Sequence, residues 1–178
     1  MSIKDIPNTV KDNFDENRSK ITTKFLTQAG VIAAAYIVLT LISSLFGLAS
    51  GVIQVRFSEI LCILPCFTFA AVPGLFVGCL LSNIITGCVF WDVVFGSIAT
   101  LLGAVGTYFL RKNRKYIASV PPILANIIIV PIVVCTAYST GQGYFLVLLS
   151  VFLGEIITAG VLGQILYKAL YPHRNIFR

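Results

Sequence analysis

Residues 57–90 read FSEILCILPCFTFAAVPGLFVGCLLSNIITGCVF, an apolar run of 34 residues with one charge, Glu59. A helix needs roughly 20 residues to cross a bilayer, so this run is long for one crossing and tight for two. Pro65 and Pro73, with Ala70 and Ala71 between them, predict a break near its middle. Whether the run crosses once or twice decides the topology, and the charges around it exclude a single crossing if all the basic clusters lie on one side.

The rest of the chain is of the same kind. It is 57% hydrophobic and 11% charged, with mean hydropathy +0.93, where soluble domains are about 25% charged. Residues 25–46, 93–110, 116–138 and 143–167 are each long and apolar enough to span. Pro121, Pro122 and Pro131 predict a kinked third member of that set.

Of the 13 Lys and Arg, twelve fall in three clusters. Lys4, Lys11, Arg18, Lys20 and Lys24 precede the first span; Arg111, Lys112, Arg114 and Lys115 form the second cluster; Lys168, Arg174 and Arg178 form the third. Basic residues placed between spans follow the positive-inside rule of cytoplasmic loops. They do not form the aromatic-studded basic face of a nucleic-acid binder. If all three clusters are cytoplasmic, an even number of crossings separates residues 24 and 111, so the 57–90 run supplies either two short helices, near 58–70 and 73–90, or a re-entrant loop, which keeps the same parity. The expectation is an all-α integral membrane protein of six transmembrane helices, with both termini cytoplasmic. Residues 1–24 form a polar segment, either amphipathic on the inner surface or a tail. Residues 25–171 form the membrane domain and 172–178 a basic tail. The polar, mixed-charge N-terminus does not read as a signal peptide.

Between residues 25 and 110, and between 116 and 167, only Arg56, Glu59, Asp92 and Glu155 are charged. Ionisable groups at membrane depth are functional candidates by default. Glu155, in LGEIITAG, is the sharpest, because a charge at a helix centre costs about 2.5–3.5 kcal/mol on the insertion scale. Glu59 and Asp92 fall at helix starts, where capping is the competing explanation. Asn83 and Asn126 either join helices or line a site. In the six-span topology these groups gather in the outer half of the bundle. The five cysteines lie in apolar runs, and the single histidine is His173 in the tail. Neither a metal site nor a Ser/His or Cys/His catalytic pair is expected, and the chain reads as a non-enzyme. It has no GxxxxGK[ST] phosphate loop.

Four stretches resemble the QueT family: QVRFSEILCILPCFTFAAVPGLFVGCLLSN at 54–83, WDVVFGSIATLLGAVGTYFLR at 91–111, ANIIIVP at 125–131 and LGE at 153–155. Phe69 departs from the family pattern, in which a proline follows the threonine here numbered Thr68. The resemblance implies an S component, the substrate-binding subunit of an energy-coupling-factor (ECF) transporter in a bacterial cytoplasmic membrane. Its implied ligand is a queuosine precursor, a 7-deazaguanine base such as the aminomethyl or nitrile form, or queuine. It implies three partners, a transmembrane coupling subunit and two ATPases that use the ATP, and no cofactor in this chain. Candidate ligand contacts are Arg56, Glu59, Asn83, Asp92, Asn126 and Glu155, with Trp91, Phe90 or Tyr138 to stack on the ring. Ala29, Ala33 and Ala34, on the small-residue faces of the first span, are the candidate docking residues, with packing inside the chain as the competing explanation. Two competing expectations are an S component for another water-soluble vitamin and a stand-alone transporter using Glu155 or Asp92 as a proton relay. No inverted repeat of the kind the latter favours is visible.

Overall fold

The structure, a computed structural model, describes residues 8–48, 55–111, 117–137 and 143–177. All regular structure among them is helical. Helix α1 spans Asn8–Leu45, and a 3-10 helix follows at Phe57–Cys66. Then come α2 (Ala71–Ile85), α3 (Phe90–Leu110), α4 (Val120–Ala137) and α5 (Tyr144–Glu155). A π-helical segment at Ile156–Leu162 joins α5 to α6 (Gly163–Leu170), and a 3-10 turn closes the chain at Tyr171–Phe177.

Four helical stretches are long and apolar enough to cross a membrane: Lys20–Leu45, Phe90–Leu110, Val120–Ala137 and Tyr144–Phe177. Two apolar helices are shorter, Phe57–Cys66 and Ala71–Ile85. The chain is a membrane-embedded helical protein. Its first helix passes straight through the boundary expected at residue 24, because nothing in 8–24 breaks it. The 38 residues of α1 rise about 57 Å, well beyond the ~30 Å of hydrocarbon.

The 57–90 run does break, and at the prolines. Pro65 lies within the 3-10 helix, and the chain leaves that helix at Cys66. Pro73 sits in the first turn of α2, where its missing N–H costs nothing. Between them, Phe69 stacks on Phe25 at 6.1 Å and meets Tyr108 edge-on at 5.0 Å. The turn therefore carries an aromatic anchor at the position of the family proline. Pro121 and Pro122 also fall in a first turn, while α4 continues through Pro131.

Contacts along the helices give their directions. The Phe57 N–H donates to Ser43 Oγ, the Tyr36 hydroxyl to Glu59 Oε1, and Thr68 Oγ1 to Gln28 Oε1. The 3-10 helix therefore runs antiparallel to α1, from the level of residue 43 to that of residue 28. Helix α2 then turns back and runs parallel to α1. A Cβ on Gly74 would lie 2.7 Å from the Ala29 carbonyl oxygen, and one on Gly78 would lie 2.8 Å from Tyr36 Cβ. Only glycine permits this approach, the small-xxx-small device of membrane helices. Ala29 and Ala33 therefore pack inside the chain.

Gly87, at φ +73°, ends α2 and reverses the chain into α3. Helix α3 is antiparallel to α2, with Thr100 Oγ1 on Cys79 Sγ at 3.3 Å. It pairs antiparallel with α4 through Gly103 on Pro122 and Gly106 on Pro121. Helix α4 meets the last helical stretch through Asn126–Glu155 and Ser119–Gln164. An alternation of direction results in which Lys24, Arg111 and Arg174 share one end of the bundle. Aromatic contacts tie that end together: Arg111 lies 3.7 Å over Tyr108, and Phe67 contacts Tyr167 and Phe177.

Candidate functional site

Arg56 is held between two anchored backbone points. The Val55 N–H donates to the Leu48 carbonyl and the Phe57 N–H to Ser43 Oγ. Its guanidinium Nη2 lies 3.8 Å from Asp92 Oδ2 at the start of α3. Asp92 is buried and makes this ion pair. The N-terminal cap of α3 is Val89, without a side-chain hydrogen bond.

Glu59 is 2% exposed. Its Oε1 accepts from the Tyr36 hydroxyl at 2.7 Å and its Oε2 from Cys62 Sγ at 3.0 Å. One oxygen thus ties the 3-10 helix to α1 and the other meets a side chain one turn along the same helix, while the helix start has no side-chain cap. Asn83 is equally buried, its Nδ2 3.6 Å from Cys79 Sγ. A Cβ on Gly96 would lie 3.3 Å from Asn83 Nδ2 and 3.5 Å from Asp92 Oδ1, so the bare glycine lets those groups share one place.

Glu155 is the last residue of α5, directly before the π segment. Its Oε1 accepts from Asn126 Nδ2 at 2.7 Å. Its Oε2 is buried with no hydrogen-bond partner among the described residues. Leaving a buried acceptor unsatisfied costs about 1–3 kcal/mol, more for a charged group. Such an orphan atom calls for a reason.

Arg56, Glu59, Asn126 and Glu155 line one cavity, walled by Gly96, Thr100, Val130 and Val151. The space between them is about 20 Å³, room for about one water. Two helices of unusual pitch frame it. Ten residues is long for a 3-10 helix, and π turns are rare and concentrate at functional sites. Larger grooves lie on the flanks. One, of about 570 Å³, runs along the basic end of α1 past Lys24, Gln28 and Phe177. The other, of about 440 Å³, lies beside Trp91 and Phe95. Neither is lined by a carboxylate, so the small cavity is the site with convergent chemistry.

The structure does not bring the expected stacking residues to that cavity. Trp91 is 55% exposed, lines the second groove and stacks on Phe95 at 5.9 Å. Phe90 is also exposed, and Tyr138 lies outside the described residues. The reason is helical: with Asp92 turned inward, residues 91 and 95 share a face pointing away. On the docking side, Ala34 is exposed, and a Cβ on Gly30 would meet nothing within 4 Å. Ala29 and Ala33 face α2.

Tyr36 was missed by sequence reasoning. It is 1% exposed, and its hydroxyl fixes one oxygen of Glu59. The signal was a lone tyrosine in AAAYIVLT, whose polar tip needs a partner when buried. Tyr36→Phe keeps the ring and removes only the donor. Ligand affinity is expected to fall about tenfold, the worth of a hydrogen bond to a charged group. Thermal midpoint is expected to shift by only a few degrees. A titration and a melt of the purified variant check both.

Charged side chains buried in an apolar helical bundle and gathered on one cavity mark a functional site, of the kind that substrate and ion pathways use. A model of the QueT transporter family matches residues 26–172. The chain belongs to the QueT transporter family. A search of curated proteins finds no match, and a search of solved structures finds none.

Proposed function

We propose that the chain is the substrate-binding S component of an ECF-type importer, capturing a queuosine precursor of the 7-deazaguanine class from outside a bacterial cell. The single observation that carries this, beside the family, is the cavity shared by Arg56, Glu59, Asn126 and Glu155. A deazaguanine presents ring N–H and amine donors side by side, which a carboxylate accepts in bidentate fashion. Asn126 supplies mixed donors and acceptors, and Arg56 a donor for the base carbonyl.

In this proposal the chain crosses six times with both termini cytoplasmic, so the cavity opens outward. The alternating helix directions and the basic residues at one end support that topology. A drug-sized ligand occupies a pocket of at least about 300 Å³, so binding displaces the 3-10 helix and Arg56 from the closed arrangement. The coupling subunit meets the exposed Gly30 and Ala34 face of α1, and two ATPase subunits supply the energy.

Binding of deazaguanine bases, guanine and water-soluble vitamins to the purified chain tests the substrate. Sub-micromolar affinity for a deazaguanine alone supports it, and sub-micromolar affinity for a vitamin instead rejects it. Reconstitution in liposomes tests the class. Uptake by this chain alone, driven by a proton gradient, would show a secondary transporter.

A further inference from the structure

We infer that the cavity between Glu59 and Glu155 is built for a ligand carrying a positive charge, a protonated amine, and rejects a neutral ligand of the same ring. This rests on the chain being a substrate-binding subunit and sharpens which substrate it takes.

The inference starts from a count of charge. Within residues 25–110 and 116–167 there are three carboxylates, Glu59, Asp92 and Glu155, and one cation, Arg56. The carboxylates are 2%, 3% and 7% exposed. Arg56 lies against Asp92, and one guanidinium balances one carboxylate. Glu59 and Glu155 remain, and both line the same cavity. The donors that reach them belong to Tyr36, Cys62 and Asn126. Those are neutral groups, which orient a buried anion without cancelling its charge.

The orphan oxygen points the same way. Glu155 Oε2 is buried, has no hydrogen-bond partner among the described residues, and belongs to a side chain that lines the cavity. Among the described residues it lacks a donor, and it lacks a positive charge beyond Arg56, which lines the cavity but lies against Asp92. An ammonium supplies both, with three N–H groups on a compact charge. A metal ion is a poorer fit, since among the described residues no three of His, Cys, Asp and Glu converge to hold one. The apolar part of the lining is Gly96, Val130 and Val151, which once opened can take the carbon face of a ring. On a 7-deazaguanine the amine arm is an aminomethyl group or a substituted form of it. An alkyl amine stays protonated at neutral pH, near the lysine value of about 10.4. A nitrile in that place has only a lone pair to set against the lone pairs of Glu155 Oε2.

The test is calorimetric titration of the full chain with aminomethyl- and nitrile-substituted 7-deazaguanine, together with cationic and neutral water-soluble vitamins. The expected result is at least tenfold tighter binding of the amine. In Glu155→Gln that ratio falls towards one, the amine losing much more affinity than the nitrile. Glu59→Gln, titrated in parallel, is expected to lower the ratio as well and serves if the first variant fails to fold. Equal or tighter binding of the nitrile overturns the inference and leaves the proposed function standing. Binding of a cationic vitamin, with no deazaguanine bound, overturns the proposed substrate and supports the charge rule. Binding of a neutral vitamin alone overturns both.

Discussion

Glu155→Gln is expected to weaken binding of an amine-bearing ligand about a hundredfold, close to 3 kcal/mol, while the protein stays folded. The two halves have separate causes. Glutamine keeps a carbonyl oxygen where Glu155 Oε1 accepts from Asn126, so the tie between α4 and α5 survives. It removes a charge whose Oε2 has no hydrogen-bond partner among the described residues. Such a charge costs about 2.5–3.5 kcal/mol at a helix centre, so the melting temperature is expected to hold or rise. Affinity falls because the same oxygen is the acceptor left for the ligand. A titration and a thermal melt on one preparation separate the effects. Wild-type affinity in a well-folded variant would make Glu155 a structural residue and remove the basis of the site.

Ala33→Trp and Ala34→Trp, adjacent on one helix, are expected to fail in different ways. The Ala33 Cα would lie 3.1 Å from a Cβ on Gly78, so an indole there pushes α1 away from α2. Overpacking of this kind costs about 1–3 kcal/mol or more, and a large drop in melting temperature is expected. Ala34 is exposed, so an indole there has room to point away from the helices described. Ligand binding is expected to be unchanged. In the proposed complex with coupling and ATPase subunits, uptake is expected to fall more than tenfold, because the face proposed to meet the coupling subunit no longer admits a close helix. Normal uptake by Ala34→Trp would place docking elsewhere. The flank groove near Lys24 and Phe177 would then be the next surface to probe.

The helical, membrane-embedded character of the chain was legible in its composition, because lipid as solvent leaves little freedom in pattern: spans must be apolar and their backbones helical. The break in 57–90 was legible for a local reason too, since Pro65 and Pro73 each remove a backbone donor. The pitch of the segment between them was not. Phe57–Cys66 is a 3-10 helix packed against α1 and α3, and nothing local marks that pitch or the π-helical one of Ile156–Leu162.

The candidate site divides along the same line. By itself, the sequence determined which groups are too polar to sit in hydrocarbon unexplained: Arg56, Glu59, Asn83, Asp92, Asn126 and Glu155. That follows from solvation, a property each residue carries wherever it lies. Only the tertiary structure decided who meets whom. Residues far apart in the chain were joined, Tyr36 to Glu59 and Asn126 to Glu155. Trp91 was turned to the flank, and Ala29 and Ala33 were spent on α2 rather than left for a partner. Pairings of this kind depend on helix direction and rotation, which are set by close packing between distant segments. A carboxylate oxygen is left over only once every other partner has been placed.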